Sequence, residues 1–205
     1  AVLDYGIGNL GSVNNALRHV GANADLVTSA SAAAGADAIV LPGVGAFGAC
    51  MNALRASGLD QVALDAVANG TPLLAVCVGL QLLFEGSDES PGGSGLGVLP
   101  GTLRRLPDGV KHPQMQWNRV VAPAGRNGAS LLMDALGNEP WVYFVHSFAA
   151  PMSDDVVGVC DYGGEVVAAV EHGRVWAAQF HPEKSSTAGL ALLRAFAQTL
   201  TEPSV

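Results

Sequence analysis

Along the first half of the chain, apolar runs with no polar break alternate with stretches whose apolar residues recur at helical spacing. "AVLD" (1–4), "ADLVT" (24–28), "DAIVLPG" (37–43) and "PLLAVC" (72–77) read as four short strands. Between them, "SVNNALRHVG" has the spacing of a helix closed by Gly21, and two further helical stretches cover roughly 46–56 and 59–69. Another helix begins near Gly79. Strands that are apolar throughout and separated by helices imply a parallel sheet covered on both faces. In such sheets the ligand site lies at the carboxyl ends of the strands. The loops "YGIGN" and "PGVGAFG" and the turn after Cys77 all fall on that edge.

The second half has a different rhythm. "SDESPGGSGLG" is a surface loop by composition. Strand-like runs then follow at "WVYFVHSFAA" (141–150), "VVGVC" (156–160), "EVVAAVE" (165–171) and "RVWAAQF" (174–180). The last two are joined across His172-Gly173 as a hairpin, so an antiparallel or mixed extension of the core is expected. An amphipathic helix over roughly 187–200 closes the chain, and the whole of 1–205 reads as one α/β domain.

Composition narrows the function classes. With 49% apolar and only 14% charged residues, the chain can build a large core, which argues against disorder. Eighteen acidic against ten basic residues give a net charge of −8, and no basic stripe of the kind nucleic acid requires is visible. No basic segment followed by a long apolar one opens the chain, and no apolar run approaches about 18 residues, so neither a signal peptide nor a membrane span is expected. The chain starts at Ala1 rather than at methionine, so at least one residue is expected upstream. Three cysteines (Cys50, Cys77 and Cys160), odd in number and far apart, argue against a disulfide framework or a zinc site. They fit a reducing, cytoplasmic setting.

One stretch carries chemistry. In "LLAVCVGLQLLFEG" (73–86) an apolar strand turns into a helix at Cys77. A buried cysteine is ordinarily an inert small hydrophobe. A nucleophile on a sharp strand-to-helix turn, however, needs small residues two positions before and after it, and Ala75 and Gly79 stand there. Such a thiol lies at the positive end of a helix, and the first-turn N–H groups there are able to meet an oxyanion.

A cysteine nucleophile wants an imidazole base, and the base wants an orienting group. Of the five histidines, His19 and His172 read as solvated and His112 carries no signal. His146 and His181 both follow apolar strands, but only His181 has a carboxylate two residues on, Glu183. An extended backbone, favoured at His181 by Pro182, would put both side chains on one side. Glu183 would then hold one ring nitrogen while the other faces Cys77.

With these residues in view, "CVGLQ" and "HPEKS" resemble the pattern of the class I (triad) glutamine amidotransferases. "DYGIGNLGSV", "LPGVGAFG", "MQWN", "YFVHSF" and "HPEKSS" together resemble the glutaminase-subunit branch that serves imidazole glycerol phosphate synthesis in histidine biosynthesis. The resemblance spans nearly the whole chain. It implies a flavodoxin-like fold, with a mostly parallel sheet between helices.

The resemblance also implies roles. Cys77 would attack the side-chain amide of L-glutamine, release ammonia and leave a glutamyl thioester, with His181 as base then acid and Glu183 as orienter. Val44 and Val78 would give oxyanion amides, and Gly45, Gln81, Glu89, Ser147 and Phe148 would hold glutamine. The ammonia would pass into a (β/α)8-barrel cyclase subunit in a heterodimer, yielding imidazole glycerol phosphate and an aminoimidazole carboxamide ribotide. Asn9, Trp117, Tyr143 and Lys184 would face that partner. No metal or cofactor is implied, nor any nucleic-acid or membrane partner. A rotation of the "PGVG" turn, where glycine permits unusual backbone angles, would gate the activity.

Ala75 departs from the glycine usual before the elbow, and Gln114 and Gln116 stand where the branch usually shows "HMGWN". Competing readings are another triad amidotransferase, a catalytically dead scaffold and a free-standing cysteine hydrolase. Intact Cys77, His181 and Glu183 weigh against the scaffold, and "YFVHSF" and "DYGIGN" against the other amidotransferases.

Overall fold

The four apolar runs of the first half become neighbouring strands on one side of a single sheet. In the computed structural model, which describes residues 1–126 and 128–199, they are β1 (Val2–Leu3), β2 (Leu26–Val27), β3 (Ile39–Gly43) and β4 (Leu73–Cys77). Every residue of β3 and β4 is buried, as strands covered on both faces must be. Helices α1 (Leu10–His19), α2 (Ala30–Ala33), α3 (Phe47–Ser57), α4 (Leu59–Ala68) and α5 (Val78–Leu82) connect or follow them. The short α2, within an alanine-rich stretch, is capped by the Ser29 hydroxyl, which accepts from the Ala32 amide.

In the second half, β5 (Phe84–Ser87), β6 (Leu99–Arg105), β7 (Gln114–Arg119) and α6 (Leu131–Leu136) precede β8 (Trp141–His146) and β9 (Phe148–Ala149). Then come β10 (Val156–Asp161), β11 (Glu165–His172), β12 (Val175–Ala178), a single 3₁₀ turn at Pro182–Lys184, and α7 (Ser186–Gln198). The last residue of the helix expected over 187–200 lies outside the described residues.

The main sheet has seven strands in the order β10-β11-β12-β4-β3-β1-β2. The five from β12 to β2 are parallel, while β11 runs antiparallel to both of its neighbours, β10 and β12. This is the expected parallel sheet with its antiparallel extension. The run expected as one strand over 141–150 breaks at Ser147: β8 pairs with β7 in a separate two-stranded ribbon, and β9 joins β5 and β6.

Register matters most beside β4. Gly43 of β3 pairs with Cys77, and Ala178 of β12 pairs with Val76. The chain leaving β12 therefore runs past Cys77 on one side, and the turn leaving β3 starts beside it on the other. Ala75 is fully buried between Leu41 and Ala177, and both ladders keep continuous register through it, so its methyl group is accommodated without disturbing the turn.

Candidate active site

Cys77 has φ 55° and ψ −112°, one of only three non-glycine residues with positive φ among those described. Holding a non-glycine residue there costs about 1–3 kcal/mol, a strain found where the fold over-determines a functional turn. The next turn is tightly packed: a Cβ on Gly79 would collide with the Leu41 carbonyl oxygen. Only glycine lets α5 begin this close to β3, so the sequence spacing around Cys77 has a steric cause.

His181 and Glu183 reach Cys77 as expected, though by a different local path. His181 is extended (φ −98°, ψ 98°), but Pro182–Lys184 then coils into a 3₁₀ turn instead of continuing as a strand. The turn, not an extended i, i+2 pair, brings Glu183 Oε1 to 3.0 Å from His181 Nδ1. Both side chains are enclosed, at 6% and 0% exposure. Glu183 Oε2 is buried with no hydrogen-bond partner. The His181 ring and the Cys77 sulfur line the same cleft, and the Cys77 thiol donates to the Val145 carbonyl at 3.8 Å. Burial opposes a charged ring, but the adjacent Cys77 sulfur and the Glu183 carboxylate outweigh it, pushing His181 up to about 10.

Two supports were not expected from the sequence. Ser185 donates from its hydroxyl to the His181 carbonyl (2.6 Å) and accepts from the Tyr143 amide (3.0 Å), while the His181 amide donates to the Tyr143 carbonyl (2.9 Å). The backbone carrying His181 is thus tied to β8. Gln179, fully buried, is the second: its Nε2 lies 3.9 Å from Cys77 Sγ, and its Oε1 accepts from Gln81 Nε2 at 3.1 Å. A glutamine in an otherwise apolar run, two residues before His181, is the only sequence signal for it.

A cleft of about 310 Å³ opens over these groups, lined among others by Val44, Gly45, Cys77, Val78, Gln81, Glu89, Ser147, Phe148, His181 and Lys184. The size suits a small ligand. Gln81 Nε2 also donates to the Phe148 carbonyl (3.0 Å), leaving Oε1 to accept from a ligand N–H. Glu89 Oε2 accepts from the Phe47 amide at 2.7 Å, leaving its other oxygen for a ligand. The expected oxyanion and glutamine-holding residues therefore all meet in one cleft.

Of the residues expected to face a partner, Lys184 lies at the cleft. Trp117 and Tyr143 pair across β7 and β8 with ring centroids 6.1 Å apart. Asn9 stands at the start of α1, on the same sheet edge but outside the cleft lining. Gln114 is fully buried opposite His146, with Nε2 3.7 Å from Cys160 Sγ and Oε1 unpartnered, whereas Gln116 is exposed.

His146 lines the cleft but is not built as the base. Its Nδ1 lies 2.9 Å from the Phe148 carbonyl, which only accepts, so Nδ1 carries the hydrogen. Burial, with a smaller contribution from the neighbouring His181, lowers His146 to about 4 against the hydrogen bond to Phe148. A histidine depressed in the fold binds its proton more tightly when unfolded, so stability is full above about pH 6.5 and falls as pH drops toward 4. The shift from 6.5 to about 4 corresponds to about 3 kcal/mol at full protonation. Thermal melting between pH 7 and 4 should show this loss, and His146→Gln should remove that part of it. An unchanged acid limb in the variant would mean that His146 is not held neutral.

His19 and His172 are exposed, as expected, with His172 3.1 Å from Asp155. Among the described residues no helix is long and apolar enough to cross a membrane.

The sequence and the fold can both be matched to known proteins. Residues 1–199 match the family model for glutamine amidotransferase class-I. The chain is 45% identical to imidazole glycerol phosphate synthase subunit HisH of Methanothermobacter thermautotrophicus, covering 98% of each chain. It is 46% identical to the protein of the same name in Symbiobacterium thermophilum, over 94% of this chain and 90% of that one. Two solved structures share the fold at low identity. A glutamine amidotransferase crystal structure superposes with a TM-score of 0.76 at 22% identity over 98% of each chain. The PurLQS structure from Thermotoga maritima gives 0.75 at 18%, over 98% of this chain and 97% of that one.

Proposed function

The chain belongs to the class-I glutamine amidotransferases, and we propose that within this family it is the glutaminase subunit of an imidazole glycerol phosphate synthase. In this reading 1–205 is one amidotransferase domain, working in the cytoplasm. Cys77 Sγ attacks the side-chain carbonyl of glutamine. The oxyanion is met by the amides of Val44 and Val78. The C–N bond breaks as the His181 imidazolium gives its proton to the leaving nitrogen, and ammonia departs. Water, deprotonated by His181, then opens the thioester to glutamate. Gln81 Oε1 and Glu89 take the α-ammonium end, and the backbone of Gly45, Ser147 and Phe148 the carboxylate end. The observation that carries this chemistry is the enclosed His181–Glu183 pair sharing one cleft with the Cys77 sulfur.

The reading further gives the ammonia to a (β/α)8-barrel cyclase subunit docked on this edge. Its support is an uncovered apolar face. Met115, Trp117 and Trp141 are 60%, 44% and 58% exposed. Met115 pairs with Val145, Trp117 with Tyr143 and Arg119 with Trp141. Directly opposed side chains share a face of the ribbon, so these residues form one surface. Val145 carries it into the cleft. Tryptophan and methionine clustered at a site mouth are the composition of an interface core.

Ammonia lost to solvent is wasted, so hydrolysis should be slow until the partner and its nucleotide are bound. The "PGVG" turn is the gate in this reading, because an oxyanion without its Val44 donor costs roughly 10²–10³ in rate. Glutamate release should be low for the lone chain, higher for the pair and far higher for the pair with nucleotide. Lys184→Ala and Tyr143→Ala should weaken that stimulation while leaving Cys77 open to alkylation. Equal rates in all three preparations would replace the gated subunit with an independent glutaminase.

A further inference from the structure

The turn that would supply the Val44 amide is gripped from both sides by buried side chains outside the triad. Before it, the Tyr5 hydroxyl donates to the Pro42 carbonyl at 2.6 Å. After it, the Cys50 thiol donates to the Val44 carbonyl at 3.2 Å. Tyr5 lies just beyond β1 in the "DYGIGN" segment, and Cys50 lies in the first turns of α3. Both are buried, and the two side chains are neighbours. Burial raises the Tyr5 hydroxyl far above the usual phenol range and pushes the Cys50 thiol up, so both keep their protons and remain donors at working pH.

Three successive peptide units are involved. The Pro42 carbonyl belongs to the unit before Gly43, and the Val44 carbonyl to the unit before Gly45. The Gly43–Val44 unit between them carries the Val44 N–H. A single peptide unit rotates in place when the units on either side stay fixed, because the changes at its two flanking torsions then cancel along the chain. The space for that unit is narrow. A Cβ on Gly43 would stand 2.8 Å from the Gly79 nitrogen and 3.0 Å from the Tyr5 hydroxyl, so a side chain there would drive the clamp and the elbow apart.

We propose that Tyr5 and Cys50 are positioning residues for the oxyanion turn: by holding the carbonyls on both sides, they confine its rotation to the Gly43–Val44 peptide and aim the Val44 amide. The inference rests on the glutaminase reading above and adds to it a pair of donors that never touch glutamine. Preorganised donors stabilise an oxyanion because they need no reorganisation as charge develops. A turn released at either carbonyl spreads over many orientations, few of which point the amide at the cleft.

The test is steady-state glutamine hydrolysis by the chain paired with its barrel subunit and nucleotide, in Tyr5→Phe, Cys50→Ala and Cys50→Ser forms. Tyr5→Phe and Cys50→Ala should lower kcat by about tenfold or more, short of the roughly 10²–10³ for a lost oxyanion donor, with KM for glutamine within about twofold. Cys50→Ser keeps a donor of similar size and should recover most of kcat. Alkylation of Cys77 by iodoacetamide, read by mass spectrometry on its own peptide, should be unchanged in all three, since that displacement develops no oxyanion. Melting curves identify a variant that has lost its fold, and Cys50→Ser then carries the comparison. The clamp is overturned if kcat is unchanged, if serine is as slow as alanine, or if alkylation falls in step with kcat. A wild-type pair that releases no glutamate overturns the glutaminase reading, and the clamp with it. An active wild-type pair with unaffected variants overturns the clamp alone.

Discussion

Cys77→Ala is expected to abolish glutamine-dependent product formation by the paired enzyme while leaving synthesis from added ammonium at raised pH intact. No other group in the cleft can form the thioester: Cys50 and Cys160 are buried and lie outside the cleft lining. The strained turn places only the Cys77 sulfur against the His181 ring. In the proposed pairing the synthase site would belong to the other subunit and would not use the thiol. The same substitution should leave the fold standing, because alanine fills the small volume at the end of β4. Product formed from glutamine at anything near the wild-type rate would refute the nucleophile assignment. Loss of the ammonium-dependent reaction would instead indicate that the pair no longer assembles.

The parts of the molecule that were legible before the structure share a physical cause. β3 and β4 are buried on both faces, so their apolar runs are continuous and stand out against the flanking glycines. The elbow at Cys77 was readable because its steric demand falls on residues two positions away, and Gly79 answers it. β5 and β6 escaped notice because Phe84 continues the apolar pattern of α5, and because Pro100 and Gly101 break the alternation that leads to Leu103. Gln179 and Ser185 escaped for a different reason. Each acts on a partner that only strand register brings close: Gln179 on Cys77, 102 residues away, and Ser185 on Tyr143, 42 residues away. Nothing in the local spacing of either residue states that distance. The pairing of His181 with Glu183 was expected from an extended backbone and is produced by a turn. The identities were in the sequence, and the path between them was not.

His181→Ala should be the most damaging substitution after Cys77→Ala, lowering glutamine hydrolysis by the activated pair by about 10²–10⁴ as proton transfer to the leaving nitrogen is lost. Part of its effect would be on stability. Glu183 is fully enclosed with one oxygen on the ring and the other unpartnered, so removing the ring leaves an uncompensated buried charge, a loss of about 3–5 kcal/mol in comparable pairs. His181→Gln, which can still donate to the carboxylate, separates the two effects: it should regain stability and remain as slow as alanine. Glu183→Gln should be milder in rate, because its amide oxygen can still accept from Nδ1 and hold the ring. With the negative charge gone, however, the hydrogen bond that raises His181 is weakened, and burial acts against the charged ring with less opposition. The His181 ring should therefore titrate below the value of about 10 it has beside Glu183, visible as a shift of its imidazole resonances toward lower pH. Stability follows the same sign. A raised histidine contributes fully below about pH 6.5 and loses its contribution as pH climbs toward 10, so Glu183→Gln should flatten the alkaline loss of stability as well. If Glu183→Gln matched His181→Ala in rate without moving the ring's titration, the carboxylate would be acting in the chemistry itself and not as the group that holds and charges the base.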